Sequence, residues 1–380
     1  MEIAGLATLT TQVLLAGFIL STIFGAIVQR THFCTMGAVS DVVNMGDWTR
    51  MRMWGMAMGV AMIGFFGMAA AGLIDPSKTL YSSNRFIWLS ALVGGTMFGF
   101  GMVLASGCGS KTLARIGGGS LKSLVVFLVM GIAAFATLKG ITAVVRVETI
   151  DKIAIDLPVR AALPDWVARV FGLDPLIAGL GLAIVIGLSL IFWAMVGEGF
   201  CRFNNLLAGL GIGAVVTATW WVSGNLGYLA EHPETLQETF IATNSGKSEA
   251  LSFVAPVAYT LDWFMFFSDK SKVLTLGIVS VFGVVVGSAA YSLLSRNFRW
   301  EGFLDAQDTA NHLAGATLMG VGGVSAMGCT VGQGLSGIST LSVTSFVALA
   351  SILTGCVGGL KYQIWRVSVR LDGISKQHDS

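Results

Sequence analysis

The chain holds five cysteines, Cys34, Cys108, Cys201, Cys329 and Cys356. Two of them close the same kind of phrase, GFGMVLASGCG at Gly99–Gly109 and GVGGVSAMGCTVGQGLSG at Gly320–Gly337. A thiol is a weak S–H donor and a soft, polarizable contact. Glycines around it let backbone N–H groups approach a ligand with no side chain between. No two cysteines form a Cys-x-x-Cys pair, so zinc ribbons and thioredoxin-like motifs lack support. His32, His232, His312 and His378 have no metal-ligand spacing, and no Walker motif is present. The chain is therefore expected to need no metal or cofactor and not to be an enzyme.

The elements that position these residues follow from composition. Of 380 residues, 54% are hydrophobic and only 12% charged, about half the charge of an ordinary soluble domain. Such a chain cannot present a wet surface and reads as an integral membrane protein. Its long uniform runs of Leu, Val, Ala, Gly and Met are helices and not the short alternating strands of a barrel. A span needs about 20 apolar residues. Nine candidates run Leu9–Val28, Met53–Leu73, Phe86–Ser106, Leu124–Leu138, Pro175–Val196, Leu206–Leu229, Val273–Leu294, His312–Met327 and Leu341–Leu360. The run Leu251–Phe267, with Pro256 and Asp262 inside it, reads as an amphipathic or interfacial helix, with a tenth span as the alternative. Asp305 and Asp308 precede and cap the eighth helix. The start Met1-Glu2-Ile3 lacks a basic n-region and reads as part of a retained helix. A net charge of +2 without a basic run gives no reason to expect a nucleic-acid partner.

Basic residues in short loops set the orientation. Arg30, Arg50, Arg52, Lys111, Arg115, Lys122, Arg202, Arg296, Arg299, Lys361, Arg366 and Arg370 fall on one side when the spans are counted alternately. The acidic stretch Glu231–Glu249 falls on the other. The expectation is an N-terminus outside and a C-terminus in the cytoplasm.

Thr96–Cys108 superimposes on Thr317–Cys329 at a constant offset, 329 − 108 = 221. Thr96, Gly99, Gly101, Val103, Ala105 and Gly107 meet Thr317, Gly320, Gly322, Val324, Ala326 and Gly328. Small residues for close helix packing explain the glycines, but not the matched Gly-Cys ends. A looser pair is Val28–Asp41 with Val196–Asn205, each carrying Phe-Cys after a long helix. Four cysteine-bearing polar breaks thus follow one plan, two in each half, and interrupted segments in matching positions point to a transport pathway. The expected organisation is a first transmembrane repeat at 1–145, a polar connector at 146–173, and a second repeat at 174–380 with an outside-facing insertion at 230–272.

These same pieces carry a resemblance. QRTHFCTMGAVSD (Gln29–Asp41), FGFGMVLASGCG (Phe98–Gly109), and RNFRWEGFLDAQDT with LMGVGGVSAMGCTVGQGLSG (within Arg296–Gly337) resemble the YeeE/YedE family of membrane proteins, which import sulfur compounds, notably thiosulfate. The resemblance implies an all-α fold of nine spanning helices, with loops dipping from both faces to meet in an hourglass. It also implies a transport role for three cysteines, which by motif are Cys34, Cys108 and Cys329. Cys201 matches in placement only. The family context suggests a separate, small TusA-like sulfurtransferase as a cytoplasmic partner and the bacterial inner membrane as location. Some members are linked to selenium, which leaves the substrate open between thiosulfate and another sulfur or selenium species.

Thiosulfate is a dianion, and stripping its water is costly unless donors replace it. Backbone N–H groups in the loops supply donors, and a helix starting after a loop adds partial positive charge. A buried neutral thiol can hydrogen-bond the anion, whereas a thiolate would repel it. The candidate pathway is Cys34, Cys108, Cys329 and Cys201, with Gly107, Gly109, Gly328, Lys111, Arg115, Arg30 and Gln333. Packing alone explains a lone buried cysteine such as Cys356, and cytoplasmic anchoring explains each cation taken singly. The rival readings are a membrane thiol–disulfide oxidoreductase and a general anion channel.

Overall fold

The computed structural model describes residues 3–233 and 236–378. Met1, Glu2, Glu234, Thr235, Asp379 and Ser380, which enter the readings of the N-terminus, the acidic stretch and the tail, lie outside them. The described chain is almost entirely helical. Helices α1 (Ile3–Thr31), α2 (Thr35–Met45), α3 (Thr49–Ala70), α4 (Trp88–Leu104), α5 (Gly109–Gly117) and α6 (Leu121–Lys139) come first. Short α7 (Ile141–Glu148) and α8 (Leu163–Phe171) lie in the polar middle. Then come α9 (Pro175–Met195), α10 (Phe203–Leu206), α11 (Ile212–Trp221), α12 (Val254–Met265), α13 (Leu276–Leu294), α14 (Ala306–Ser325) and α15 (Val343–His378). The extended structure is two pairs of two-residue strands, Arg85–Phe86 with Ile155–Asp156 and Tyr228–Leu229 with Thr239–Phe240.

Eight segments among the described residues are long and apolar enough to cross a bilayer. The eighth candidate of the sequence reading, His312–Met327, is present as α14 but does not qualify by itself. Its first turns carry Asp308, Asn311 and His312, and four glycines dilute the rest. It tolerates them because α4 and α6 cover it. As expected, Asp305 caps it, its carboxylate accepting the Asp308 amide at 2.6 Å. Asp174 likewise caps α9 through the Leu176 amide, with Pro175 in the first turn. The run Leu251–Phe267 does not form a span of its own; its first half is buried, and Phe264, Met265, Phe266 and Phe267 at its end are exposed. Its helix α12 has 12 residues, about 18 Å long at 1.5 Å per residue, roughly half the hydrocarbon thickness. Val254, Val257 and Ala258 are buried, packed against α6, α13 and α14.

The lipid-facing skin is clearest on α9. Ile177, Val185, Leu188 and Phe192 are exposed, while the small residues Gly179, Ala183 and Gly187 are buried toward α3. A Cβ on Gly59 would lie 2.6 Å from the Gly187 carbonyl oxygen, so the two backbones touch.

The centre is the crossing of α4 and α14, flanked by α15 on α4 and α6 on α14. A Cβ on Gly94 would lie 2.7 Å from the Gly322 carbonyl oxygen, and one on Gly322 2.6 Å from that of Gly94. Gly101 and Gly315 stand in the same reciprocal relation. Gly315 and Gly322 are Gly94 and Gly101 displaced by 221, so the contacts are those a two-fold axis through the crossing leaves behind. The flanking helices repeat the pattern: α2 packs against α3 and α15, and α12 against α13 and α6.

Candidate substrate pathway

Both glycine-rich phrases end in one and the same turn. After α4, the amides of Ala105, Ser106 and Gly107 donate to the carbonyls of Gly101, Val103 and Met102. After α14, those of Ala326, Met327 and Gly328 donate to Gly322, Val324 and Gly323. Ser106 and Met327 both adopt φ of +57°, the left-handed value that reverses a chain at a helix end. Each turn then delivers a cysteine to the start of the next helical segment. The Thr112 amide closes on the Cys108 carbonyl at 2.9 Å and the Gln333 amide on that of Cys329 at 2.8 Å. Cys34 occupies the corresponding position before α2, after a left-handed His32.

Cys34, Cys108 and Cys329 are brought together in the protein interior. All three are free thiols, and all are buried. Cys34 and Cys108 are neighbours, Thr330 faces Cys108, and Cys329 lies within electrostatic range of Cys108. Each sulfur faces an amide in the first turn of its own helical segment: Gly37 for Cys34, Lys111 for Cys108, and Gly332 for Cys329 at 3.4 Å. No side chain caps α2, α5 or α12. Their N-terminal amides and dipole ends are therefore available to an anion. Three buried polar atoms have no partner here: Thr35 Oγ1, Thr330 Oγ1 and Gln333 Oε1. Leaving a buried polar group unmatched costs about 1–3 kcal/mol, so these atoms stand as open hydrogen-bonding positions in the cluster.

Two cavities approach the cluster from opposite ends of α4. One, of about 670 Å³, is lined by His32, Cys34, Gly37, Arg50, Ser106, Lys111 and Arg115, among others. The other, of about 390 Å³, reaches Met327 and Gly328 from Tyr81, Arg85, Glu249 and Tyr259. The first meets the start of α3 and the end of α4, and the second the start of α4. The turn after α4 thus opens to one cavity and the turn after α14 to the other.

The predicted residues divide. Lys111 and Arg115 line the first cavity, and no carboxylate among the described residues pairs with either, while Arg50 is held by Asp41. The Arg115 guanidinium donates to the Ser106 carbonyl at 2.7 Å and so braces the cysteine turn. Gly107 lies against the Lys111 side chain, Gly109 begins α5 beside Phe253 and Met130, and Gly328 abuts Gln333. Gln333 donates its amide to the Ala326 carbonyl at 2.6 Å, bracing the second turn as Arg115 braces the first. Arg30 and Cys201 are not brought to the cluster. Arg30 is exposed, hydrogen-bonded to Asn204 and seated over the Phe203 ring. Cys201 is exposed, its sulfur 3.9 Å from the Met195 carbonyl. Cys356 is buried within α15, on none of the turns, though within electrostatic range of Cys108.

The position matching Cys34 is Phe253, at the start of α12, whose backbone approaches Cys329 as Cys34 approaches Cys108. Thr35, Thr330, Phe253 and Tyr81 were not singled out by sequence. The hydroxyls next to Cys34 and Cys329 were legible as Cys-Thr at both places. Phe253 was hidden because its break carries no cysteine. The Tyr81 hydroxyl donates to the Gly332 carbonyl at 2.6 Å, across 251 residues of chain, and local sequence gives no sign of it.

A family model described as sulphur transport matches residues 30–358. The chain belongs to this family. Among its relatives is the thiosulfate transporter TsuA of Escherichia coli strain K12, 27% identical over 355 residues, covering 90% of this chain and 93% of that one. The thiosulfate transporter TsuA of Spirochaeta thermophila is 25% identical over 349 residues, covering 89% and 96%. Membership makes this chain a transporter and not an enzyme. The matched region contains all the turns described above.

Proposed function

We propose that this protein is a thiosulfate transporter of the bacterial inner membrane, importing the anion through the neck between its two cavities. The observation that carries the reading is the meeting of three buried thiols, each on the N-terminus of its own helical segment, between two opposed cavities. Both relatives are named for thiosulfate transport, which supports the choice of substrate. In the neck, amides of the first turns of α2 and α5 and of the segment after Cys329 replace lost water. The thiols of Cys34, Cys108 and Cys329 add soft, polarizable contacts. Several weak sites in series suit an ion that must leave as well as enter. Lys111 and Arg115 hold the anion electrostatically in the larger cavity.

The halves 1–145 and 174–380 act as repeats around the neck, joined by the connector 146–173. The N-terminus lies outside and the C-terminus in the cytoplasm, as the loop charges suggest. On this orientation the Lys111 cavity faces the cytoplasm, where a separate TusA-like sulfurtransferase would receive the product. The test is uptake of radiolabelled thiosulfate by cells lacking their own sulfate and thiosulfate uptake, with wild type beside Cys108→Ala. Uptake that collapses in the variant supports the thiol neck, and equal uptake removes the thiols from it. Family membership removes the thiol–disulfide oxidoreductase reading, and thiol trapping should find Cys34 and Cys108 free.

A further inference from the structure

The smaller cavity contains a carboxyl group that the pathway above does not use. Glu249 lines this cavity, whose inner end is Gly328, immediately before Cys329. It also begins the extended segment that leads to Phe253, at the neck itself. A carboxylate in the approach to an anion pathway is an obstacle by Coulomb's law. No cation among the described residues pairs with it. Its Oε2 accepts the Ser245 hydroxyl at 3.1 Å, and the nearby cations are engaged elsewhere. Lys78 is paired with Glu238, Lys247 reaches the Ser82 carbonyl, Arg146 is paired with Asp151, and Arg85 donates to the Asp151 carbonyl. From the other elements it faces Tyr81, in the loop before α4, and Tyr259, on α12. The surrounding protein strips water from the carboxyl and pushes it up to about 7.

We propose that the cavity around Glu249 is a second subsite for the oxyanion, which the Glu249 carboxyl binds by donating its O–H and rejects once ionised. The proton stays on Glu249 throughout, so no proton is consumed. The cavity geometry fits the role. Arg85 stands among its polar lining residues, Ser252 and Gly328 lie toward the neck, and Glu249 stands between the two tyrosines. An anion leaving this subsite has Gly328 and the Cys329 turn directly ahead of it. The proposal rests on the thiosulfate reading above and adds to it a pH-dependent step outside the thiol cluster.

The experiment is radiolabelled thiosulfate uptake into proteoliposomes of the full-length protein, with the same pH inside and out. Wild-type uptake is expected to fall by roughly ten-fold or more between about pH 5.5 and about pH 8.5, as a single carboxyl titrates. Glu249→Gln fixes a neutral hydrogen-bond donor and is expected to reduce that change to about two-fold or less. Ser245→Ala removes a donor that favours the carboxylate, and its uptake midpoint should move to higher pH. This second variant keeps the test decisive if Glu249→Gln does not fold. Unchanged pH profiles in the variants overturn the subsite while leaving thiosulfate transport intact. Absence of uptake by wild type at every pH overturns both readings together.

Discussion

A Cβ on Gly101 would lie 2.7 Å from the carbonyl oxygen of Gly315, and a Cβ on Gly315 would lie 2.6 Å from that of Gly101. Neither backbone can retreat, because α15 holds α4 from behind and α6 holds α14. Replacing Gly101 or Gly315 by Leu should therefore separate the two central helices. The expected cost is about 1–3 kcal/mol or more, the usual range for overpacking. Thermal unfolding in detergent checks it. Gly181→Ala, at a position with open space around it, should leave the transition unmoved.

Thiol variants should divide by place and not by residue type. Cys108→Ala and Cys329→Ala each remove a donor facing the passing anion. Hydrogen bonds to charged groups are worth about 1.5–3 kcal/mol, so uptake should fall by roughly ten-fold or more. Cys201→Ala, exposed and apart from the neck, should transport like wild type. Equal losses at Cys108 and Cys201 in the radiolabel assay would contradict the separation described here.

Lys111→Gln should weaken loading from the larger cavity. Lys111 is the cation nearest the Cys34–Cys108 pair, and it lies beside Gly107. The expected effect is a several-fold rise in the half-saturating thiosulfate concentration, with wild-type salt dependence blunted. Uptake measured across thiosulfate and salt concentrations reads both.

Tyr81→Phe removes the donor to the Gly332 carbonyl and leaves that carbonyl short of its partner. A lost buried hydrogen bond costs about 1 kcal/mol. Because the Gly332 amide is the one that faces Cys329, the effect should reach the neck. A modest fall in melting temperature should accompany a change in labelling of Cys329 by a small thiol reagent.

Glu249 also makes stability depend on pH. Its carboxyl is raised by burial from 4.5 to about 7. The folded state therefore binds a proton more tightly than the unfolded one. Its contribution is fully present below the unfolded value and is lost as pH rises toward about 7. Melting temperature should decline over that window, and Glu249→Gln should flatten that part of the curve.

Much of this architecture was legible in the chain. Hydropathy alone marked the long helices, because lipid permits little else. The 221-residue offset marked the two cysteine turns, since glycine, cysteine and their spacing are fixed by one local geometry used twice. Three limits were physical. Helix α14 was read as a span although it is too polar to qualify by itself, and only its burial between α4 and α6 makes it one of the bundle. For Leu251–Phe267, sequence does not reveal that neighbouring helices bury the first half of a short apolar helix while its end stays exposed. Cys201 was aligned with Cys34 on a shared Phe-Cys, yet the position equivalent to Cys34 is Phe253, where no thiol remains. A backbone can keep its place in a repeat after its side chain has changed, and single-sequence matching follows the side chain.

The two ends of the pathway are unequal. Lys111 and Arg115, with no carboxylate partner among the described residues, stand at one mouth, and Glu249, uncharged while it holds its proton, stands at the other. An electric field therefore runs through the neck along the direction of travel, even with no voltage across the bilayer. Such a pathway behaves like a rectifier: an anion spends more of its time at the cationic end, and influx and efflux respond differently to an applied potential. Net accumulation still follows the gradient, but the resting place of the cargo is set by the protein.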